Sequence, residues 1–362
     1  MSRRKSKDTE VSVAPYVQEA LLIDAIEEMA GRRVVCTSRG LAQFAEAAAR
    51  AMPEAEVCCT YFDAYRARLA KEAWPIWPPN LTIACAADFP EGEADIVALP
   101  FAASGEAELT RDFLQAGHLR LRTGGRLYAA TDNRKDSWLG EVMGQLFRKL
   151  ERRRFAKGAM YVGTKTEPLK KVKDYGCEFV FRDRGRLIRA YSRPGVFSHR
   201  HIDPGARHLI EEMHVEPGAR VLDVGCGAGT VALAAACRAD GVHVHAVDAN
   251  VRAVECTRRG AELNEFGNVT VELNAHGDYS GAGSFELAMA NPPYYSGYRI
   301  ARQFLEAGRA ALREGGRMLV VAKAPEWYAE NFGEWFEQVE VKERKGYFVF
   351  SGVRRRGRRL GG

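Results

Sequence analysis

Apolar residues along this chain fall into short runs that alternate with longer stretches of helical period. The order is clearest in the second half. GARVLDVGCGAG (218–229) is an apolar run ending in a Gly-rich turn, and TVALAAACRA (230–239) has helical character. VHVHAVDAN (242–250) alternates and ends in Asp248, and VRAVECTRRGAELNEFG (251–267) is amphipathic and stops at glycine. NVTVEL (268–273) and FELAMANPPYY (285–295) are further runs, the second feeding a proline turn. A helix over 298–312 and a strand over 315–322 complete the series. Strands alternating with helices predict a parallel sheet with helices on its faces.

The first half repeats the order. It offers a strand and turn over 31–40, a helix over 41–52, a strand and turn over 93–105, a helix over 108–121 and a strand over 124–130. LRTGGRLYAA (121–130) and LREGGRMLVV (312–321) lie 191 residues apart, and ALPFAASG (98–105) and ANPPYYSG (290–297) lie 192 apart. Two separate matches at nearly one spacing predict an internal duplication. The pattern breaks at Pro194 and Gly195, so domains over 1–190 and 191–362 are expected.

The two copies differ in chemistry. In the second, Gly225, Gly227 and Gly229 follow a strand that carries Asp223, and Asp248 ends the next strand. Glycines let the backbone turn tightly and approach a ligand, and a carboxylate about 20 residues on can accept ribose hydroxyls. That suits NAD(H) or S-adenosylmethionine, and G-x-G-x-G after Asp-Val favours the latter. NPPY (291–294) falls at a strand end. Pro292 and Pro293 remove two N–H donors, which leaves the Asn291 side-chain oxygen and the Pro292 carbonyl as acceptors for a planar amine. Tyr294 offers a face on which a base can stack. At the matching positions the first copy reads VVCTSRG (34–40) and LPFA (99–102). The carboxylate, two of the three glycines, the asparagine and the tyrosine are missing, and a scaffold with RNA contacts is expected there.

These motifs resemble a class I S-adenosylmethionine-dependent methyltransferase of the NPPY group. With PGVFSHRHIDPGARHL (194–209), the whole chain is similar to the bacterial ribosomal RNA guanine-N2 methyltransferases of the RsmC type. That family commonly places phenylalanine and histidine after the prolines, where this chain has Tyr294 and Tyr295. The resemblance implies an α/β fold of two tandem Rossmann-like class I methyltransferase domains, the first degenerate. It implies methyl transfer to the exocyclic N2 amine of a guanine in ribosomal RNA or an assembling ribosomal subunit. Asp223, Gly225, Gly227 and Gly229 would line the methionine and ribose, Asp248 would bind the ribose, and Asn274, His276 or Asp278 would meet adenine. Asn291, Pro292 and Tyr294 would hold the target base, and Phe197 and Asp203 would cover the cofactor. Two rivals remain: an NPPY enzyme acting on a release-factor glutamine amide or adenine N6, and a non-catalytic RNA-binding assembly factor.

Composition narrows the setting. No apolar run is long enough to span a bilayer, and the basic start MSRRKSKDTE has no apolar stretch after it, so a cytoplasmic protein free of the membrane is expected. The eight cysteines form no C-x-x-C pair and the histidines are spaced irregularly, so neither disulfides nor a metal is expected. The net charge of +6 is modest, but cations cluster at both ends and over 148–173, as a phosphate backbone would favour. A monomer is expected.

Overall fold

A computed structural model describes residues 14–74, 76–279, 281–293 and 297–355. The chain divides into two compact units, one ending at Tyr175 and one starting at Gly176.

The first unit contains α1 (Val17–Asp24), β1 (Arg33–Thr37), α2 (Gln43–Ala51), β2 (Glu56–Tyr61), α3 (Ala64–Glu72), β3 (Leu81–Cys85) and β4 (Ala94–Phe101). It continues with α4 (Ala107–Arg120), β5 (Leu121–Thr131), α5 (Trp138–Leu146), β6 (Lys149–Arg154) and β7 (Ala159–Thr164). Its sheet runs in the order β3-β2-β1-β4-β5-β7-β6. β7 is antiparallel to both of its neighbours, and the other pairs are parallel.

The second unit opens with a hairpin of β8 (Cys177–Asp183) and β9 (Arg186–Ser192). Then come α6 (Pro204–Glu212), β10 (Arg220–Val224), α7 (Thr230–Ala236), β11 (His243–Asp248), α8 (Val251–Leu263) and β12 (Val269–Leu273). β13 (Phe285–Ala290), α9 (Arg299–Ala311), β14 (Leu312–Ala322), α10 (Glu326–Asn331), β15 (Phe336–Arg344) and β16 (Tyr347–Arg354) finish it. The order β12-β11-β10-β13-β14-β16-β15 is that of the first sheet, strand for strand.

Side chains alternate across a strand, so a strand buried on both faces reads as one apolar run. Val221 and Leu287 pack into one core while their neighbours Leu222 and Ala288 pack into the other. The first sheet divides the same way, with Val34 and Ile96 on one face and Val35 and Val97 on the other. Smaller features recur as well. Arg122 pairs with Asp95 in the first unit, and Arg313 pairs with Glu286 in the second. Gly124 and Gly315 hold φ of +82° and +76° where their strands bulge.

The division at 175/176 differs from the expected boundary at 190. Phe181, Ile188 and Ala190 of the hairpin are buried in the core that holds Leu209 and Val221, which assigns β8 and β9 to the second unit.

Candidate active site

The turn after β10 is shaped by backbone needs. Gly225 has φ +76°, and a Cβ there would lie 2.6 Å from the Phe304 ring. The N–H groups of Gly225 and Cys226 both donate to the Val247 carbonyl, at 2.9 and 3.0 Å. Gly229, at φ +77°, leads into α7. Gly227 differs: its φ is +56°, and an added Cβ would meet nothing closer than 3.7 Å. The turn is therefore pinned at its ends and open in the middle.

Two carboxylates sit beneath it. Asp223 is buried on β10, and its Oδ2 accepts from the Ala232 N–H at 3.0 Å, tying strand to helix. Burial, and to a lesser extent the nearby Asp248, pushes its pKa up to about 7. Asp248 ends β11; its Oδ2 accepts from Gly227 N–H at 2.9 Å and its Oδ1 from Asn250 N–H at 2.8 Å. The Asn250 amide donates to the Gly195 carbonyl at 2.8 Å, and the buried Arg252 guanidinium donates to the Pro194 carbonyl at 2.8 Å. These bonds fasten the segment that presents Phe197, which is 56% exposed at the cavity mouth.

Asn291 follows β13 on the same edge of the sheet, since β10 and β13 are parallel neighbours. Its Nδ2 donates to Asp203 Oδ2 at 2.7 Å. A carboxylate only accepts, so this contact fixes the sense of the amide and leaves Oδ1 turned the other way. That Oδ1 is buried and has no hydrogen-bond partner among the described residues. Asp203 also caps α6, accepting from Ala206 N–H at 2.9 Å ahead of Pro204 in the first turn. One cavity is lined by Phe197, Asp203, Asp223, Gly225, Gly227 and Asn291, among others.

The other expected site residues fall differently. Pro292 is buried, and Tyr294 lies outside the described residues. Asn274 follows β12, and its N–H donates to the Asp248 carbonyl at 3.0 Å. Its side chain donates to Glu272 and to the Asp278 carbonyl and accepts from the N–H groups of His276 and Gly277. All four of its hydrogen-bonding positions are used in shaping that loop. His276 and Asp278 are exposed. The link between Asp203 and Asn291 spans 88 residues. The Asp-Pro pair signals a helix start, but no local pattern announces its distant partner.

The first unit fills the equivalent place. Counting from the paired strands β1 and β10, Ala42 (φ +62°) takes the place of Gly229, Cys36 that of Asp223 and Tyr61 that of Asp248. Tyr61 donates to the Gly40 carbonyl at 3.0 Å. Glu19 of α1 falls where Ala206 falls in α6, and it is fully buried. Its Oε1 accepts from Ser38 Oγ at 2.7 Å, Arg39 N–H at 2.7 Å and Gly40 N–H at 3.0 Å. A carboxylate of the chain itself thus occupies the turn that stays open in the second unit.

A parallel sheet with a trailing antiparallel pair, a Gly turn over acids and a ligand crevice at the carboxyl ends of the strands is the class I methyltransferase architecture. Residues 188–351 match the model of the methyltransferase small domain. The second unit belongs to the methyltransferase small domain family. The uncharacterized protein YbxB of Bacillus subtilis (strain 168) is 32% identical over 177 residues, which are 47% of this chain and 87% of YbxB. The ribosomal RNA small subunit methyltransferase C of Chromohalobacter salexigens is 36% identical over 40% of this chain and 46% of its own length. The match thus spans about half the length of that relative. Among solved structures, the T. thermophilus 16S rRNA N2 G1207 methyltransferase (RsmC), in complex with AdoMet and guanosine, superposes with a TM-score of 0.75. It shares 22% identity and covers 92% of each chain, so the two-unit fold is common to both.

Proposed function

We propose that the second unit transfers a methyl group from S-adenosylmethionine to the exocyclic N2 amine of a guanine in ribosomal RNA. The observation that carries this reading is Asn291 Oδ1, a buried acceptor whose direction is fixed by Asp203 and which lacks a partner among the described residues. A buried acceptor left unpaired costs free energy, and a planar –NH2 group supplies the missing donor. The Pro292 carbonyl takes the second hydrogen, so the amine is held with its lone pair free to face the incoming carbon. The open middle of the glycine turn, the half-buried Asp248 and the exposed Phe197 ring fit a nucleoside cofactor carrying an amino acid arm. When bound, that cofactor supplies an electrophilic sulfonium methyl.

The residues then have simple tasks. Asn291 and Pro292 align the amine, which accounts for rate by positioning. No base is needed before transfer, because the product amine can release its proton to water afterwards. A base stacked in a helix is out of reach, so the guanine must be single-stranded or extruded. The RsmC relative acts on 16S rRNA by its name and was solved with guanosine, which supports guanine over adenine or glutamine. Among the described residues no helix is long and apolar enough to cross a membrane. We place the reaction in the cytoplasm, with the chain acting as a monomer.

Asn291→Ala separates chemistry from binding. It is expected to lower methyl transfer to ribosomal RNA about a hundredfold or more and to leave cofactor affinity within about twofold by calorimetry. Mass spectrometry of nucleosides from a strain lacking the gene should show loss of one methylguanosine. An unchanged Asn291→Ala rate, or transfer to a release factor in place of RNA, would overturn the reading.

A further inference from the structure

The basic run around 148–157 is broken up by the fold. Arg148 pairs with Glu167, and Arg153 pairs with Glu28 and Glu151. Arg152 lies over the Tyr161 ring and donates to the Asp136 carbonyl. These charges are committed within the unit. Arg154 is not: it is exposed at the end of β6 and makes no ion pair among the described residues. Arg134 and Lys135, beyond the end of β5, are likewise exposed and unpaired. The three line one concave patch with Phe155 and Ala156. Lys157 is exposed in the same hairpin turn.

The acids nearby are engaged elsewhere. Asp132 Oδ1 accepts from the Ala103 N–H, and Asp136 accepts from the Tyr161 hydroxyl and the Leu139 N–H. Nor is the cluster inherited from the shared fold. In the second unit, counting on from the matched ends of β5 and β14, Pro325 and Glu326 stand where Arg134 and Lys135 stand. In the matched hairpins Glu343 takes the place of Arg154. The first unit has also filled its glycine-turn position with Glu19. Its cations gather on the edge where its parallel strands end, the edge that carries the site in the second unit.

We propose that this patch, Arg134, Lys135 and Arg154 around Phe155, grips the phosphate backbone of the RNA substrate. Unpaired guanidinium and ammonium groups on a concave surface suit phosphates, and Phe155, partly buried against the core, forms an apolar floor. The first unit would thus contribute affinity for the polyanion while the second carries out the transfer. This rests on RNA being the substrate.

The test uses the full chain with Arg134→Gln, Lys135→Gln and Arg154→Gln combined. With a small-subunit ribosomal RNA transcript, KM for RNA should rise about tenfold at physiological salt while kcat and cofactor affinity stay as in wild type. The slope of log affinity against log salt, read by fluorescence anisotropy, should fall by about 2 to 3, one contact per lost cation. A matched control, Lys170→Gln with Lys171→Gln, removes exposed charge from the same unit and should leave both readouts close to wild type. Arg154→Lys keeps the charge and should retain binding. Unchanged KM and slope in the folded triple variant, or an equal loss in the control, overturns the proposal while leaving the methyltransferase reading intact. A wild type that methylates no RNA removes both.

Discussion

Asp203 Oδ2 faces two donors, the Ala206 N–H at 2.9 Å and Asn291 Nδ2 at 2.7 Å. The first contact caps a helix and the second orients the proposed acceptor. Both contacts fall on one oxygen, so the amide oxygen of Asp203→Asn can accept from both donors, and this variant should stay near wild type. Asp203→Ala removes that oxygen. It should lose the cap, about 1 kcal/mol of stability, and free Asn291 to turn over and present Nδ2 to the target amine, donor against donor. The expected outcome for the alanine variant is a kcat about tenfold lower or worse, from lost positioning, with cofactor affinity near wild type. A kcat that Asp203→Ala leaves unchanged would mark Asp203 as merely structural. Asp223 gives a second prediction. Burial raises its folded pKa to about 7, against about 3.9 in an unfolded chain. The native state then holds more protons than the unfolded one between those values, so stability falls as pH rises through that window. Asn at this position still accepts from Ala232 N–H and does not titrate. In cofactor-free protein, urea unfolding should show Asp223→Asn gaining on wild type from pH 4 to 7, by up to about 4 kcal/mol. A difference that stays flat with pH would contradict the buried-acid account.

At the scale of elements, the parts legible in the sequence are those with a strong period or a fixed backbone demand. β10 and β13 read as apolar runs because both of their faces are buried, and α8 and α9 read as helices because one face is. Gly225, Gly227 and Gly229 were legible because each has positive φ, which other residues rarely adopt. Less legible were short elements held by tertiary partners. The β8–β9 hairpin exposes apolar Val180 and Leu187 beside its charged residues, so no clean alternation marks it, and it is defined by what Phe181, Ile188 and Ala190 pack against. Asn274 shows the limit at a side chain: its residue type suited adenine, but the loop it closes consumes the whole amide. Glu19 shows the reverse. Nothing in VQEALLID marks its glutamate as the filler of a vacated turn, because its partners lie about 20 residues on and across the sheet edge.

At the scale of the molecule, one plan has been used twice with opposite treatment of the crevice. Each unit has core clusters on both faces of its own sheet, so each holds the means of its own cooperative unfolding. The first stabilises its glycine-turn position internally, through Glu19, and the second leaves the place for a ligand. Ligand linkage should therefore act on one unit only. Cofactor or its demethylated product at about 100 times Kd adds about 2.7 kcal/mol to the state that binds it. Calorimetric scans should show this as an upward shift of the second unit's transition, with the first unmoved. Glu19→Ala should produce the complementary pattern. It strips three hydrogen bonds from a buried carboxylate site, a loss of about 2 to 3 kcal/mol, and should lower the first transition while the cofactor-induced shift of the second persists. A cofactor that moved both transitions equally would mean the units unfold as one, and the separation of tasks between them would fail with it.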